Sequence, residues 1–203
     1  YNPYGVIEFV IPPAEASAIS HDGSQQKPPP GQVYKGAAIH VSSGAPVVIY
    51  VIIKFKYTTD GFLALPSNAY GTKYINMVYR EPNITSGLMA PFTCVVGVYD
   101  NTIINLIAGG GDQGNDGIPL KGRVVRTGEG SSEILQRGDV WLLSVDDHLQ
   151  DLSGTVFTAN KPFSIVSGVH CANFPVGNAW CDYSVEMELP TYTWGKQYYV
   201  VPM

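Results

Sequence analysis

The sequence is poor in charged residues. Only 14% of its 203 residues are Asp, Glu, Lys or Arg, and the net charge is −5, whereas about 25% is usual in soluble domains. An acidic chain with 12 basic residues lacks the basic stripe that binds nucleic-acid phosphates. Its apolar run over residues 47–53 is far shorter than the ~20 residues of a membrane-spanning helix. We therefore expect neither a nucleic-acid partner nor a membrane span.

Cysteine is scarce, and its spacing is informative. Turn-forming residues separate Cys171 from Cys181, so a disulfide between them is within reach; the alternative is a pair of buried thiols. Cys94 stands in an apolar, strand-like run, which predicts a buried free thiol, with an intermolecular bridge as the alternative. Few charges, many Tyr, Thr, Ser and Gly, and a start at Tyr1 are typical of a processed secreted protein. We expect an extracellular, cell-surface location.

Helical periodicity is nearly absent. Short β-branched or alternating segments recur instead, separated by turn signals at residues 43–44, 59–61, 100–101, 137–138 and 160–161. The predicted strands cover residues 6–11, 37–41, 46–57, 73–79, 93–99, 102–107, 123–126, 139–145, 155–158, 163–169 and 197–201. This pattern predicts an all-β fold, either a β-sandwich or a related jelly-roll-like arrangement.

An internal repeat organises the chain. Residues 65–74 read Leu-Pro-Ser-x-x-Tyr-Gly-x-x-Tyr, and residues 189–198 read Leu-Pro-Thr-x-x-Trp-Gly-x-x-Tyr. This repeated motif, called the Leu-Pro frame below, indicates a duplication. The predicted divisions are an N-terminal strand with a Pro-rich linker (1–33), a first β unit (34–110), bridging strands with a Gly-rich loop (111–149), and a second, incomplete β unit (150–203).

The two β units are unequal. The first continues beyond its frame through two more predicted strands, whereas few residues follow Tyr198. We therefore expect the second unit to present an open sheet edge, formed by Tyr198, Tyr199, Val200 and Val201. The N-terminal apolar segment is the candidate to fill it, in its own chain or in a neighbouring copy, by strand addition. Its apolar residues are Val6, Ile7, Phe9, Val10 and Ile11.

Several separated motifs follow one another along residues 34–203. They are residues 59–66, 70–74, 151–155, 161–162, 167–168, Cys171, 181–182 and 189–198. In content and order they resemble the N-terminal domain of the IgGFc-binding protein family, in its bacterial surface-protein form. The resemblance implies an extracellular binding or adhesive module to which no enzymatic activity is attached.

Residues suited to catalysis do not form a recognisable set. The sequence has no Gly-x-Ser-x-Gly elbow. His170 and Cys171 are adjacent, so on a strand their side chains point to opposite faces and make a poor nucleophile–base pair. Glu186 and Glu188 would share one face if their segment is a strand, but nothing identifies the opposite wall of a glycosidase site, and a solvated face is the alternative. We expect no catalytic residues and no enzymatic activity.

One loop offers ligands for a metal ion. Asp112, Asn115 and Asp116 supply three oxygen ligands within a glycine-rich stretch, which is the donor type that calcium prefers. The loop matches no established calcium motif, and a plain solvated loop is the alternative. We expect no other cofactor.

Together these features predict a secreted, non-enzymatic structural or adhesive subunit. It would associate with copies of itself, and strand addition between copies would build a filament. The alternative, which the family resemblance implies, is a monomeric extracellular binding module for a glycan or glycoprotein. The 13 Tyr and 3 Trp would supply aromatic platforms for a sugar.

Overall fold

The prediction of an all-β fold is confirmed by a computed structural model of the chain. The structure describes residues 5–12, 31–54, 58–80, 91–110, 117–145, 151–173 and 180–201. Two short 3-10 helices, Ser67–Ala69 and Thr191–Thr193, accompany the strands in this part of the chain. The strands are β1 (Gln32–Tyr34), β2 (Ile49–Lys54), β3 (Thr59–Ala64), β4 (Gly71–Ile75), β5 (Pro91–Gly97), β6 (Thr102–Ile107), β7 (Ile118–Leu120), β8 (Arg123–Val125), β9 (Gly130–Leu135), β10 (Val140–Ser144), β11 (Val156–Ala172) and β12 (Asp182–Met187).

The main sheet is built around the 17-residue strand β11, which pairs with four antiparallel strands. Phe163 of β11 pairs with both β4 and β5, so these two strands lie on opposite edges. β6 follows β5 along one edge, and β12 lies in line with β4 along the other. β10 and β1 extend the sheet beyond β5, and β9 extends it beyond β6. Strands from both predicted β units therefore share one sheet, and the boundaries of the units stay a prediction.

The turn predicted at residues 160–161 is wrong, because both residues lie within β11. The pairing register of β11 shifts between Thr158 and Phe163. Asn160 Oδ1 accepts the Ile103 N–H at 2.8 Å, and Lys161 Nζ donates to the Asp100 carbonyl at 2.6 Å. These contacts with β6 and with the connection before it hold the irregularity inside a continuous strand.

Several other strand predictions do not match the observed strands. Residues 6–11, 37–41 and 197–201 lie outside the strands, whereas β1, β3, β7, β9 and β12 were not predicted. The turn-like residues 59–61 belong to β3, and Ile52 of β2 packs over Gly61, where a Cβ would come within 2.8 Å of the Ile52 Cδ1. Neighbouring strands thus override the local turn preference.

The main core lies on one face of the curled sheet. Leu135 on β9 and Trp141 on β10 belong to the same buried cluster, although their strands stand near opposite ends of the sheet. The sheet therefore bends around its core. The cluster comprises Tyr74, Val95, Ile104, Leu106, Ala108, Ile118, Leu120, Val125, Leu135, Trp141, Leu143, Val145, Leu152, Phe157, Phe163 and Ile165.

The β2–β3 hairpin covers a second, smaller core on the other face. This core contains Phe92, Leu142, Tyr183 and Val185, against which Ile53 and Phe62 of the hairpin pack. Side chains bind the hairpin to β12: Asp60 Oδ2 accepts the N–H of Val185 at 2.8 Å, and Thr58 Oγ1 accepts the N–H of Tyr183 at 2.7 Å. β10 is consequently buried on both faces.

The predicted disulfide between Cys171 and Cys181 is present, with the two Cα atoms 5.0 Å apart. It joins the end of β11 to the residue before β12. The bond therefore closes the connection between two paired strands.

The two Leu-Pro frames have the same local structure. In each frame an extended proline is followed by a 3-10 helix and then by an extended aromatic residue. The N–H of Gly71 donates to the Tyr74 hydroxyl at 3.1 Å, and the N–H of Gly195 donates to the Tyr198 hydroxyl at 2.6 Å. The sequence repeat thus encodes one turn twice.

The second frame packs directly on the first. The Tyr192 hydroxyl donates to the Ala69 carbonyl at 2.9 Å. A Cβ on Gly71 would lie 2.6 Å from the Pro190 Cβ and 3.0 Å from the Tyr192 ring. Position 71 therefore has no room for a side chain.

We expect Gly71→Ala to lower the free energy of unfolding by about 1–3 kcal/mol, the usual cost of overpacking. Gly44→Ala is the matched control, because nothing lies within 4 Å of a Cβ there, and it should change stability by less than about 0.5 kcal/mol. Equilibrium denaturant unfolding measures both. Equal stabilities for the two variants would show that the frames do not pack together in solution.

Candidate functional site

Two extended apolar segments lie on the surface. Residues 5–12 and 195–201 belong to no strand, and no backbone–backbone hydrogen bond joins either of them to the rest of the described chain. Val6 is 96% exposed and Tyr199 is 99% exposed. The other exposed apolar side chains of the two segments are Ile7, Phe9, Val10, Ile11, Tyr198, Val200 and Val201. Contiguous apolar exposure of this kind makes the two segments candidates for an interaction surface.

The C-terminal segment contains the part of the second Leu-Pro frame that corresponds in sequence to β4 in the first frame. In the first frame, Tyr74 is fully buried and stands opposite Phe157 of β11. In the second frame, the equivalent Tyr198 is 70% exposed. The donor and acceptor residues predicted from the sequence are therefore both accessible, but they do not pair with each other within the described ranges.

A further apolar surface was missed in the sequence. Tyr50 and Ile52 of β2 and Leu63 of β3 point outward from the hairpin, and Tyr50 stands directly opposite Leu63. The sequence feature that could have revealed this surface is the unbroken apolar run over residues 47–53. It indicates a strand that is apolar on both faces, one of which packs on the smaller core while the other meets solvent.

The predicted metal ligands Asp112, Asn115 and Asp116 lie outside the described residues. Within the described ranges, no group of three His, Cys, Asp or Glu side chains could hold a metal ion. Cys94 is a free thiol that packs against the smaller core, and burial raises the pKa of this thiol to about 12. The thiol is therefore protonated and unreactive at neutral pH.

A buried polar network spans the strands beside β11. Thr93 and Ser167 stand opposite each other on β5 and β11. Both hydroxyls donate to Asn76 Oδ1, at 3.1 Å and 2.7 Å respectively, while Asn76 Nδ2 donates to the Leu152 carbonyl at 3.1 Å. The Asn76 side chain is fully buried. This network was also missed in the sequence, because its members are distant along the chain.

Glu188 completes the network. Its Oε1 accepts the Met77 N–H at 2.9 Å, and the Ser167 hydroxyl, which donates to Asn76, lies beside its carboxylate. Burial raises the pKa of Glu188 from 4.5 to about 7, although the Met77 N–H and the Ser167 hydroxyl oppose the rise. Glu186, its predicted partner, is exposed on β12, so the two carboxylates occupy different environments.

The raised pKa of Glu188 predicts a pH-dependent stability. The folded state binds the proton more tightly than the unfolded state, so this contribution is present below pH 4.5 and is lost as the pH rises to about 7. The loss amounts to about 3 kcal/mol at most. In Glu188→Gln this loss of stability with rising pH should disappear, whereas in Glu186→Gln it should remain. Denaturant unfolding at pH 4 to 8 measures the difference, and an unchanged decline in Glu188→Gln would contradict the assignment.

No helix in the described part of the chain has the length and apolar character to span a membrane. The disulfide is typical of proteins that reside in an oxidising, extracellular environment.

Comparisons with known proteins identify relatives by sequence. A family profile described as IgGFc binding protein matches residues 60–203. An IgGFc-binding protein from Homo sapiens is 30% identical over 152 residues, which covers 71% of this chain but only 2% of that much longer relative. No solved structure gives a significant match. Since the family profile spans both Leu-Pro frames and all of β11, the chain belongs to the IgGFc-binding protein family.

Proposed function

We propose that the protein is a non-enzymatic structural or adhesive subunit of an extracellular surface and that it associates with copies of itself. The family is one of binding proteins, which supports a binding role. The disulfide supports an extracellular site of action.

One observation carries the proposal: two exposed, apolar, extended segments coexist in one chain. Residues 5–12 and 195–201 together expose nine large apolar side chains and have unpaired backbones within the described ranges. Apolar surface of this kind is costly in water. Pairing the two segments would bury it and satisfy their backbone hydrogen-bonding groups.

The mechanism that fits is strand addition between copies. The segment containing Val6, Ile7, Phe9, Val10 and Ile11 would pair with Tyr198, Tyr199, Val200 and Val201 of a neighbour. Main-chain hydrogen bonds would supply affinity, and alternate side chains would set the register. Such a contact joins two different surfaces, so repetition yields an open filament unless the rotation closes a ring.

The double variant Phe9→Asp with Val10→Asp tests the proposal, because it places a charge on each face of the N-terminal segment. We expect it to remain folded and monomeric in sedimentation velocity and to form no filaments in negative-stain electron microscopy. The matched control is Ile39→Asp with Val41→Asp, which changes two exposed apolar residues outside both segments and should assemble like the unaltered protein. Filaments of normal length and number in the first variant would overturn strand addition.

A second candidate function is favoured by exposed aromatic side chains near the second frame. Trp180 is 83% exposed, and Tyr192, Trp194 and Tyr199 are also accessible. Aromatic faces of this kind suit a glycan or glycoprotein ligand. A strictly monomeric sample that binds a glycan array, with binding lost in Trp180→Ala or Trp194→Ala, would favour this module over the self-associating subunit.

A further inference from the structure

The buried network around Asn76 brings together the groups that acyl transfer between side chains requires. The Asn76 carboxamide is the electrophile, and the hydroxyls of Ser167 and Thr93 both reach its Oδ1. All three side chains are nearly or fully buried. Backbone hydrogen bonds fix Asn76 in place, because its N–H donates to the Thr155 carbonyl and its carbonyl accepts the Gly154 N–H.

The two hydroxyls differ in one respect. Both hydroxyls hydrogen-bond Asn76 Oδ1 and each other, but it is the Ser167 hydroxyl that also lies beside the Glu188 carboxylate and lowers its pKa. Glu188 is in turn oriented by the Met77 N–H at 2.9 Å. A hydroxyl beside a base that a third group orients is the arrangement of an activated nucleophile.

Ser167 has a single hydroxyl proton, which it donates to Asn76 Oδ1 in the structure. Attack on Asn76 requires this proton to pass to the ionised Glu188 carboxylate, which leaves an oxygen lone pair to face the Asn76 carbonyl carbon. Thr93 still donates to Oδ1, where negative charge develops during the attack. Tyr74 is the titratable group that interacts with Glu188, and burial raises its pKa to about 12, so it stays neutral. The pKa of Glu188, about 7, suits a general base.

We propose that Ser167 and Asn76 form an intramolecular ester cross-link by an autocatalytic reaction. The Ser167 Oγ–Asn76 Cγ bond forms, and the Asn76 Cγ–Nδ2 bond breaks. The Ser167 proton passes through Glu188 to the departing nitrogen, which leaves as ammonia. No oxidation or reduction takes place. The reaction occurs once per molecule and acts on no external substrate, so it is independent of self-association.

The cross-link would lie where it can fix the sheet. Asn76 follows β4 directly, and Ser167 lies in the half of β11 that pairs with β5 and β12. An ester between them would join the end of β4 covalently to the half of β11 that pairs with β5 and β12. Burial of both residues would protect the ester from hydrolysis by water.

Intact-mass spectrometry of the full chain with its disulfide reduced tests the proposal directly. We expect a mass about 17 Da below that of the sequence, the mass of one ammonia lost in acyl transfer. Proteolysis should then release a branched peptide that contains both Asn76 and Ser167. A mass equal to that of the sequence would overturn the proposal. Loss of ammonia located on a linear peptide would also overturn it, because a linear peptide with this mass indicates a cyclic imide at Asn76.

Two variants assign the roles of the residues. Ser167→Ala lacks the nucleophile and should have the full mass of its own sequence. Glu188→Gln keeps an acceptor for the Met77 N–H but lacks the base, so the ester should accumulate far more slowly than in the unaltered protein. An ester in Ser167→Ala would overturn the choice of nucleophile, and an unchanged rate in Glu188→Gln would overturn the choice of base. The mass of the unaltered protein answers the main question even if a variant fails to fold.

Discussion

The pairing of β11 along both of its edges is the constraint on which the rest of the structure depends. β5 and β6 occupy one edge and β4 and β12 the other, so a single strand brings together four strands that are far apart in the sequence. Antiparallel pairs satisfy the backbone groups of a buried strand. Because β11 is central, the strands on both of its edges can bend around one core and leave the other face to the β2–β3 hairpin.

The same arrangement explains why apolar surface remains exposed. β4 takes the place beside the first half of β11, so the matching segment of the second Leu-Pro frame finds no equivalent edge there. It emerges beside the first frame, on which Pro190 and Tyr192 pack. One Leu-Pro frame is thus followed by a paired strand, whereas the corresponding segment of the other frame stays exposed.

The polar network next to β11 also follows from this pairing. Thr93 and Ser167 face each other because β5 and β11 are in register, and Glu188 joins them because β12 ends at the neighbouring position. Buried polar groups are tolerated when their hydrogen bonds are satisfied. The chemistry proposed for Ser167 and Asn76 therefore depends on strand register, which local sequence does not specify.

The sequence by itself determined what depends on neighbouring residues: the all-β class, the Leu-Pro frames, β6 and the disulfide. Alternation predicts β6 because one of its faces is buried and the other is exposed, and the frames form because proline, glycine and tyrosine close the same turn twice. Only the tertiary structure decided that residues 59–61 form a strand, that β11 is continuous, and that Asn76, Thr93, Ser167 and Glu188 meet. Those outcomes depend on contacts between residues that are far apart in the chain, and such contacts override local turn and strand preferences.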